Sequence, residues 1–133
     1  MQFSAIIGQK EVSDQLVKMV HQNRLGHALL FLGREGCGAL NLAQAFAQYI
    51  VCEKVNGKPG ASQAPSLFAE DPQPSTGHNN NEPLNDSCGI CPACIKSSKL
   101  IHPDIHFCYP VVTKKPGEQP LSTDYITEWR NFI

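Results

Sequence analysis

The sequence predicts an α/β fold in which a parallel β-sheet is flanked by helices, with a small cysteine-rich insertion. Three observations lead to this prediction. Residues 27–32 form an apolar run without polar alternation, the pattern of a strand buried on both faces of a parallel sheet. A glycine-rich stretch, residues 33–38, joins that run to a helix-like segment, and further along three cysteines repeat at C-x-x-C spacing. A chain of 133 residues is long enough to bury such a core.

Composition narrows the class of protein. Ten prolines and ten glycines predict a large irregular portion, and a net charge of −1 gives no general attraction to nucleic acid. No apolar run is long enough to cross a bilayer, and the first residues lack the pattern of a secretory signal. We therefore expect a cytoplasmic protein with no membrane partner. In that compartment six cysteines favour metal binding or free thiols over disulfides.

Two amphipathic helices are predicted on either side of the apolar run. The first covers about residues 10–23 and is expected to end near Gly26. Its apolar stripe comprises Val12, Leu16, Met19 and Val20. The second covers residues 39–52 and gains helix propensity from several alanines. Its buried stripe comprises Leu42, Phe46, Tyr49 and Ile50.

The remaining chain is predicted to alternate between irregular and ordered segments. Residues 53–87 read as a largely disordered insertion, because Gly, Pro, Ser, Asn and Gln dominate them. A short helix is expected within residues 91–100, and a second core strand within residues 104–112. Ser122 or Thr123 can cap a last helix, whose apolar face holds Ile126, Trp129 and Ile133. That helix reaches residue 133 without a stop signal, which predicts the N-terminal part of a larger domain.

The glycine-rich stretch matches a phosphate-binding loop in which the ligand residues are replaced. Gly33, Gly36 and Gly38 keep the glycine positions, but Ala39 stands where the pattern has the phosphate-binding lysine. Leu40 stands where it has the Mg²⁺-binding hydroxyl. Neither side chain can bind a phosphate or a metal ion. We expect no catalytic residues, no ATPase activity, and weak or absent ATP binding.

The cysteine repeat predicts a structural zinc site. Cys88, Cys91 and Cys94 have the spacing that lets successive sulfurs reach one tetrahedral centre, which needs four ligands in a closed site. Cys52, at the end of the second predicted helix, is the preferred fourth ligand, and His78 and His102 are the alternatives. The zinc module thus lies within residues 52–94. The two cysteines outside this set, Cys37 and Cys108, are expected to be buried small hydrophobic residues.

Taken in order, these motifs resemble one family. Residues 6–9 (Ile-Ile-Gly-Gln), residues 24–33, the glycine loop, the four cysteines and residues 102–104 (His-Pro-Asp) are similar to the start of bacterial DNA polymerase III clamp-loader subunits, which are AAA+ proteins. The resemblance covers nearly all of the chain except about residues 53–87 and 114–120. It implies an AAA+ sheet flanked by helices and a zinc module with four cysteine ligands.

Within that family, the replaced loop residues Ala39 and Leu40 resemble the delta-prime type, which is a non-hydrolysing member of the ring. The resemblance implies gamma/tau and delta subunits as partners, and the sliding clamp and primer-template DNA through the assembly. The Ser-Arg-Cys motif of the arginine finger does not occur and would lie beyond residue 133. The spacer between Cys52 and Cys88 is longer than is usual in the family, which leaves the role of Cys52 open.

Two other functions are compatible with the sequence. One is an active gamma/tau-like ATPase in which Lys10 or Lys18 replaces the missing loop lysine, although neither lies in the loop. The other is a zinc module that binds nucleic acid through Lys96 and Lys99. No aromatic residue is interleaved with the cysteines, which disfavours that second function.

Overall fold

The computed structural model describes residues 1–57, 84–113, 117 and 119–132. Within these residues the secondary structure is helical. The elements in chain order are a 3-10 helix Phe3–Ala5, α1 Lys10–His21, α2 Ala39–Val51, α3 Pro92–Ser98, a 3-10 helix Ser122–Tyr125 and α4 Ile126–Phe132. None of the helices in the described ranges has the length and apolar character needed to span a bilayer.

Helix α2 is the centre of the packing, since α1, α3 and the first 3-10 helix all contact it. Its buried side chains are Leu42, Ala45, Phe46, Gln48 and Tyr49. With Phe3, Leu16 and Val17 the apolar members form the main core. The prediction of this helix is confirmed, but the inclusion of Ile50 in its buried stripe is wrong. Ile50 is 37% exposed because α2 buries the side that carries Ala45 and Gln48 instead.

Helix α1 is confirmed, but it ends before the predicted glycine. Asn23 adopts a left-handed conformation with φ 51°. Its N–H donates to the Val20 carbonyl at 3.0 Å, and the Arg24 N–H donates to the Met19 carbonyl at 2.9 Å. These two bonds form a Schellman motif, which satisfies the last carbonyls of the helix. Asn23 therefore ends α1, and Gly26 lies in the segment beyond it.

No strand pairing is present within the described residues, so the parallel sheet stays a prediction. In the apolar run, Leu30 and Leu32 are 85% and 87% exposed. Phe31 turns inward, and its ring centroid lies 6.3 Å from that of Phe46 on α2. A strand buried on both faces needs neighbouring strands and covering helices. Within the described residues, this apolar run is covered only on the side that faces α2.

Residues 105–112 show the side-chain alternation of an extended chain. The half-buried positions are Ile105, Phe107, Tyr109 and Val111, and the exposed positions are His106, Cys108, Pro110 and Val112. This period of two is typical of a strand with one covered face. The prediction that Cys108 is buried is wrong, because it falls on the uncovered side.

Helix α4 is held to this extended segment by Tyr109. The Tyr109 ring stacks on the Trp129 ring with centroids 4.3 Å apart. The Ser122 hydroxyl donates to the Tyr109 carbonyl at 3.1 Å, and the Tyr109 hydroxyl donates to the Ser122 carbonyl at 2.7 Å. The prediction that Ser122 or Thr123 caps the last helix is wrong for the 3-10 helix, because both residues lie within it and its N-cap, Leu121, makes no side-chain cap bond.

Candidate metal centre and glycine loop

The structure brings four cysteine sulfurs together at the junction of α2 and α3. Cys52 follows the last residue of α2, and Cys88, Cys91 and Cys94 come from the loop before α3 and from its first turn. Their four Sγ atoms all lie within 4.8 Å of one another. The Sγ atoms of Cys88 and Cys94 are 3.9 Å apart. Tetrahedral zinc with Zn–S bonds of about 2.3 Å would place its sulfurs about 3.8 Å apart. The four thiols therefore fit a metal ion of this kind.

Backbone N–H groups point at three of the sulfurs. The Cys88 N–H donates to Cys52 Sγ, the Cys91 N–H to Cys88 Sγ and the Cys94 N–H to Cys91 Sγ, each at 3.4 Å. Two of these bonds span three residues, which is the physical reason for the C-x-x-C spacing. The Cys91 sulfur also acts as the N-cap of α3. Such donors stabilise thiolate charge, so the backbone is already arranged for ligands that carry it.

The four thiols are largely removed from solvent, and this affects the ionisation of one of them, Cys94. Cys52 and Cys94 are fully buried and Cys91 is 6% exposed, while Cys88 is half-buried. Burial raises the pKa of the Cys94 thiol well above its usual range. Metal binding replaces those protons and compensates the buried negative charge. The arrangement suits a structural ion, because all four tetrahedral positions are supplied by protein.

Residues 84–87, here called the tether, position the three later cysteines. Asp86 Oδ1 accepts hydrogen bonds from the Phe3 N–H at 3.0 Å and the Ser87 N–H at 2.7 Å. Asp86 Oδ2 accepts one from the Ser4 N–H at 2.9 Å. The Gln2 side chain donates to the Ser87 carbonyl at 2.6 Å. The tether is thereby fixed to the first 3-10 helix, directly before Cys88.

Helix α2 holds the tether from the other side. The buried Gln48 amide donates to the Ser87 hydroxyl at 2.9 Å. The Tyr49 hydroxyl donates to the Leu84 carbonyl at 2.6 Å and lies 2.9 Å from His21 Nε2. Burial raises the pKa of Tyr49 to about 12, so the hydroxyl keeps the proton that it donates. The tether lies against the same helix that ends at Cys52.

These contacts bear on whether the long spacer between Cys52 and Cys88 prevents Cys52 from acting as a ligand. The predicted insertion covered residues 53–87, of which 58–83 lie outside the described residues. Its two ends are ordered: Asn56 and Gly57 donate to the Cys52 and Lys54 carbonyls, and the tether is bonded as above. Both ends of the spacer are fixed beside the thiols, and loop-closure entropy grows only slowly with length. The length of the spacer is therefore no obstacle to Cys52 as a ligand.

Of the two alternative ligands, His102 does not join the group. His102 Nδ1 accepts a hydrogen bond from the Asp104 N–H at 3.2 Å, and His102 is not among the clustered residues. His78 lies outside the described residues. Cys37 is half-buried in the glycine loop and Cys108 is exposed.

The glycine loop is closed by contacts of its own. Gly36 and Gly38 have φ 77°, a left-handed conformation that glycine adopts readily. A Cβ on Gly33 would collide with the Cys37 sulfur, so a larger residue there requires the Cys37 side chain to move. The Gln9 amide donates to the Cys37 carbonyl at 3.0 Å, which ties the loop to the start of α1.

The residues that follow the loop offer no side chain for a phosphate. Ala39 and Leu40 are the first two residues of α2, and Leu40 is 44% exposed. Arg34 and Glu35 are both exposed and adjacent, so together they add no net charge to the loop. A groove of about 220 Å³ beside the loop is mostly apolar, and neither Lys10 nor Lys18 lines it. Apart from the exposed Arg34, the loop and the start of α2 present backbone N–H groups to an anion.

The described residues combine a glycine loop at the start of α2 with a four-cysteine centre at the end of that helix. The sequence profile of the family described as "DNA polymerase III, delta subunit" matches residues 8–75, which are 68 of the 133 residues. The chain belongs to this clamp-loader-related family, which associates it with DNA replication. The match contains α1, the loop, α2 and Cys52, and it ends before Cys88. No curated protein and no solved structure gives a significant match.

Proposed function

We propose that the chain is a non-hydrolysing, delta-prime-like subunit of the bacterial DNA polymerase III clamp loader, a structural member of the ring that loads the sliding clamp. The family match supports the clamp-loader part of this proposal. Its partners are then the gamma/tau and delta subunits, with the clamp and primer-template DNA reached through the assembly. The AAA+ sheet is part of the same proposal, with residues 27–32 and 104–112 as two of its strands.

The observation that carries the non-hydrolysing part is the first turn of α2. The loop places Ala39 and Leu40 where the pattern requires a lysine and a hydroxyl. A charge-assisted hydrogen bond contributes about 1.5–3 kcal/mol, so its loss weakens binding roughly tenfold to a hundredfold. Hydrolysis suffers more, because the lysine and Mg²⁺ stabilise charge that develops in the transition state. Gln9 and Cys37 hold the loop closed through contacts within the protein.

The metal in this proposal is a structural Zn²⁺ held by Cys52, Cys88, Cys91 and Cys94. Support comes from the four thiols of one soft ligand type, their mutual distances and their burial. The ion would supply no chemistry to a substrate, since a closed site with four cysteine ligands leaves no open coordination position. Its role is to fix the end of α2 to α3 and the tether.

Native mass spectrometry of the chain with ATP and Mg²⁺ tests the function. We expect no stoichiometric nucleotide adduct with the natural sequence. The double variant Ala39→Lys, Leu40→Thr restores the missing ligands and should bind ATP at least about tenfold more tightly, which makes it the positive control. A stoichiometric ATP adduct on the natural chain would show that the loop still binds nucleotide without its lysine, and magnesium-dependent ATP turnover would overturn the proposal and favour the gamma/tau-like alternative.

A further inference from the structure

The metal-binding segment also carries an exposed surface on α3. Its members come from residues 90–101, and we call them the lysine–isoleucine face: Ile90, Ile95, Lys96, Lys99 and Ile101. The three isoleucines are 69%, 44% and 51% exposed in that order. Single exposed apolar residues are common on protein surfaces, but a contiguous set bordered by charge marks an interaction site.

Three local motifs make the face contiguous. Ile95, Lys96 and Lys99 share one side of the α3 region through their helical spacing. Around the N-cap Cys91, Ile90 and Ile95 occupy the two positions that pack together in a hydrophobic staple.

At the other end of α3, the Leu100 N–H donates to the Ser97 carbonyl at 2.9 Å and the Ile101 N–H donates to the Lys96 carbonyl at 3.0 Å. This Schellman motif brings Ile101 beside Lys96. The five side chains thus extend from one end of the helix to the other.

The charge of the segment has one sign. Residues 87–103 contain Lys96 and Lys99 and no Asp or Glu. The last turn of a helix is a favourable place for lysine, because positive charge there offsets the helix dipole. That role does not explain the exposed isoleucines. The same residues contain no Phe, Tyr or Trp, so the face has no ring on which a nucleic-acid base could stack.

We propose that the lysine–isoleucine face binds an acidic and apolar segment of a partner protein. Carboxylates of the partner pair with Lys96 and Lys99, and its apolar side chains cover the three isoleucines. The apolar contact supplies the buried core of the interface, and the charges set its orientation and exclude basic partners. This inference is independent of the glycine loop and of whether the chain binds nucleotide.

An NMR titration of the metal-loaded 133-residue chain tests the proposal with three probes of defined chemistry. They are a helical peptide of glutamate and leucine, the same peptide with lysine in place of glutamate, and an oligo-dT strand. We expect the glutamate peptide to shift the amide signals of residues 90–101 and the other two probes to leave them unchanged. The variant Lys96→Gln, Lys99→Gln should weaken this binding about fivefold to tenfold.

A matched variant, Lys10→Gln, Lys18→Gln, removes the same charge from α1 and should bind as the natural chain does. Glutamine has good helix propensity, so the α3 variant is expected to fold, and its retained metal checks this. Equal shifts with the lysine peptide would overturn the proposal. Preferential binding of oligo-dT would assign the face to nucleic acid and also overturn it, as would glutamate-peptide binding that the α3 variant leaves unchanged.

Discussion

At the scale of single residues, Asp86 connects the start of the chain to the metal-binding segment. Its carboxylate accepts hydrogen bonds from the N–H groups of Phe3, Ser4 and Ser87. Two of those groups belong to the first turn of a 3-10 helix, where N–H groups have no partner within the helix. A carboxylate suits this position because it has two acceptor oxygens and negative charge. One side chain therefore fixes both the first turn and the residue before Cys88.

Replacement of Asp86 should weaken the fold around the cysteines. We expect Asp86→Ala to lower the free energy of unfolding by about 2–3 kcal/mol, because it leaves three N–H groups without their acceptor. Asp86→Asn keeps one acceptor oxygen and should lose about half as much. Urea titration of the metal-loaded chain, followed by circular dichroism, measures the difference. Asp14→Ala, on the exposed side of α1, is the control, and an Asp86→Ala chain as stable as this control would contradict the prediction.

At the scale of elements, both α1 and α3 end in a Schellman motif with a residue other than glycine in the left-handed position. Asn23 has φ 51° and Leu100 has φ 56°. Asparagine tolerates this conformation better than most residues, whereas leucine is strained in it by about 1 kcal/mol. Leu100 is half-buried and lines a cavity of about 260 Å³.

The end of α1 gives an element-level prediction with a clear sign. Asn23→Gly should raise the free energy of unfolding by about 0.5 kcal/mol, because glycine adopts positive φ without strain. Asn23→Val should lower it by about 1–2 kcal/mol, since a β-branched residue is disfavoured there. Gln22→Gly serves as the comparison: Gln22 has φ −83°, so glycine there gains nothing and costs chain entropy. A stabilising Gln22→Gly or a neutral Asn23→Val, measured by denaturant titration, would be inconsistent with the motif.

The elements also show how far the sequence could predict this structure. Helical periodicity was enough for α1, α2 and α4, and C-x-x-C spacing was enough to suggest that the cysteines share one centre. The sequence does not predict the tether. Asp86 accepts hydrogen bonds from Phe3 and Ser4, which lie 83 and 82 positions earlier in the chain, and it stands in a stretch without periodicity. The parallel sheet rests on pairing between distant segments, which an apolar run indicates but cannot specify.

At the scale of the whole molecule, the four cysteines connect segments that do not take part in the main core. The main core lies between the first 3-10 helix, α1 and α2, and a second, smaller core consists of Cys52, Cys91, Ala93 and Cys94. Helix α3 has seven residues, too few to be stable alone in water. Its position therefore depends on packing against α2 and on the thiol group. In the metal-bound protein the ion would provide the bonds that hydrophobic burial does not supply there.

Removal of the metal should destabilise this second core while the main core stays folded. Chelation by EDTA at neutral pH is expected to lower Tm, to release about one Zn²⁺ per chain and to make four further thiols reactive toward a thiol reagent. In amide hydrogen exchange, residues 92–98 should lose protection while the centre of α2 keeps most of its own, because Leu42, Phe46 and Tyr49 are buried by α1 and the first 3-10 helix. Cys94→Ser should reproduce the effect without chelator, and Cys108→Ser, which alters an exposed thiol outside the group, should bind zinc as the natural chain does. If chelation leaves Tm and the exchange of α3 unchanged, the thiols are held by packing alone, and the proposed structural role of the ion is wrong.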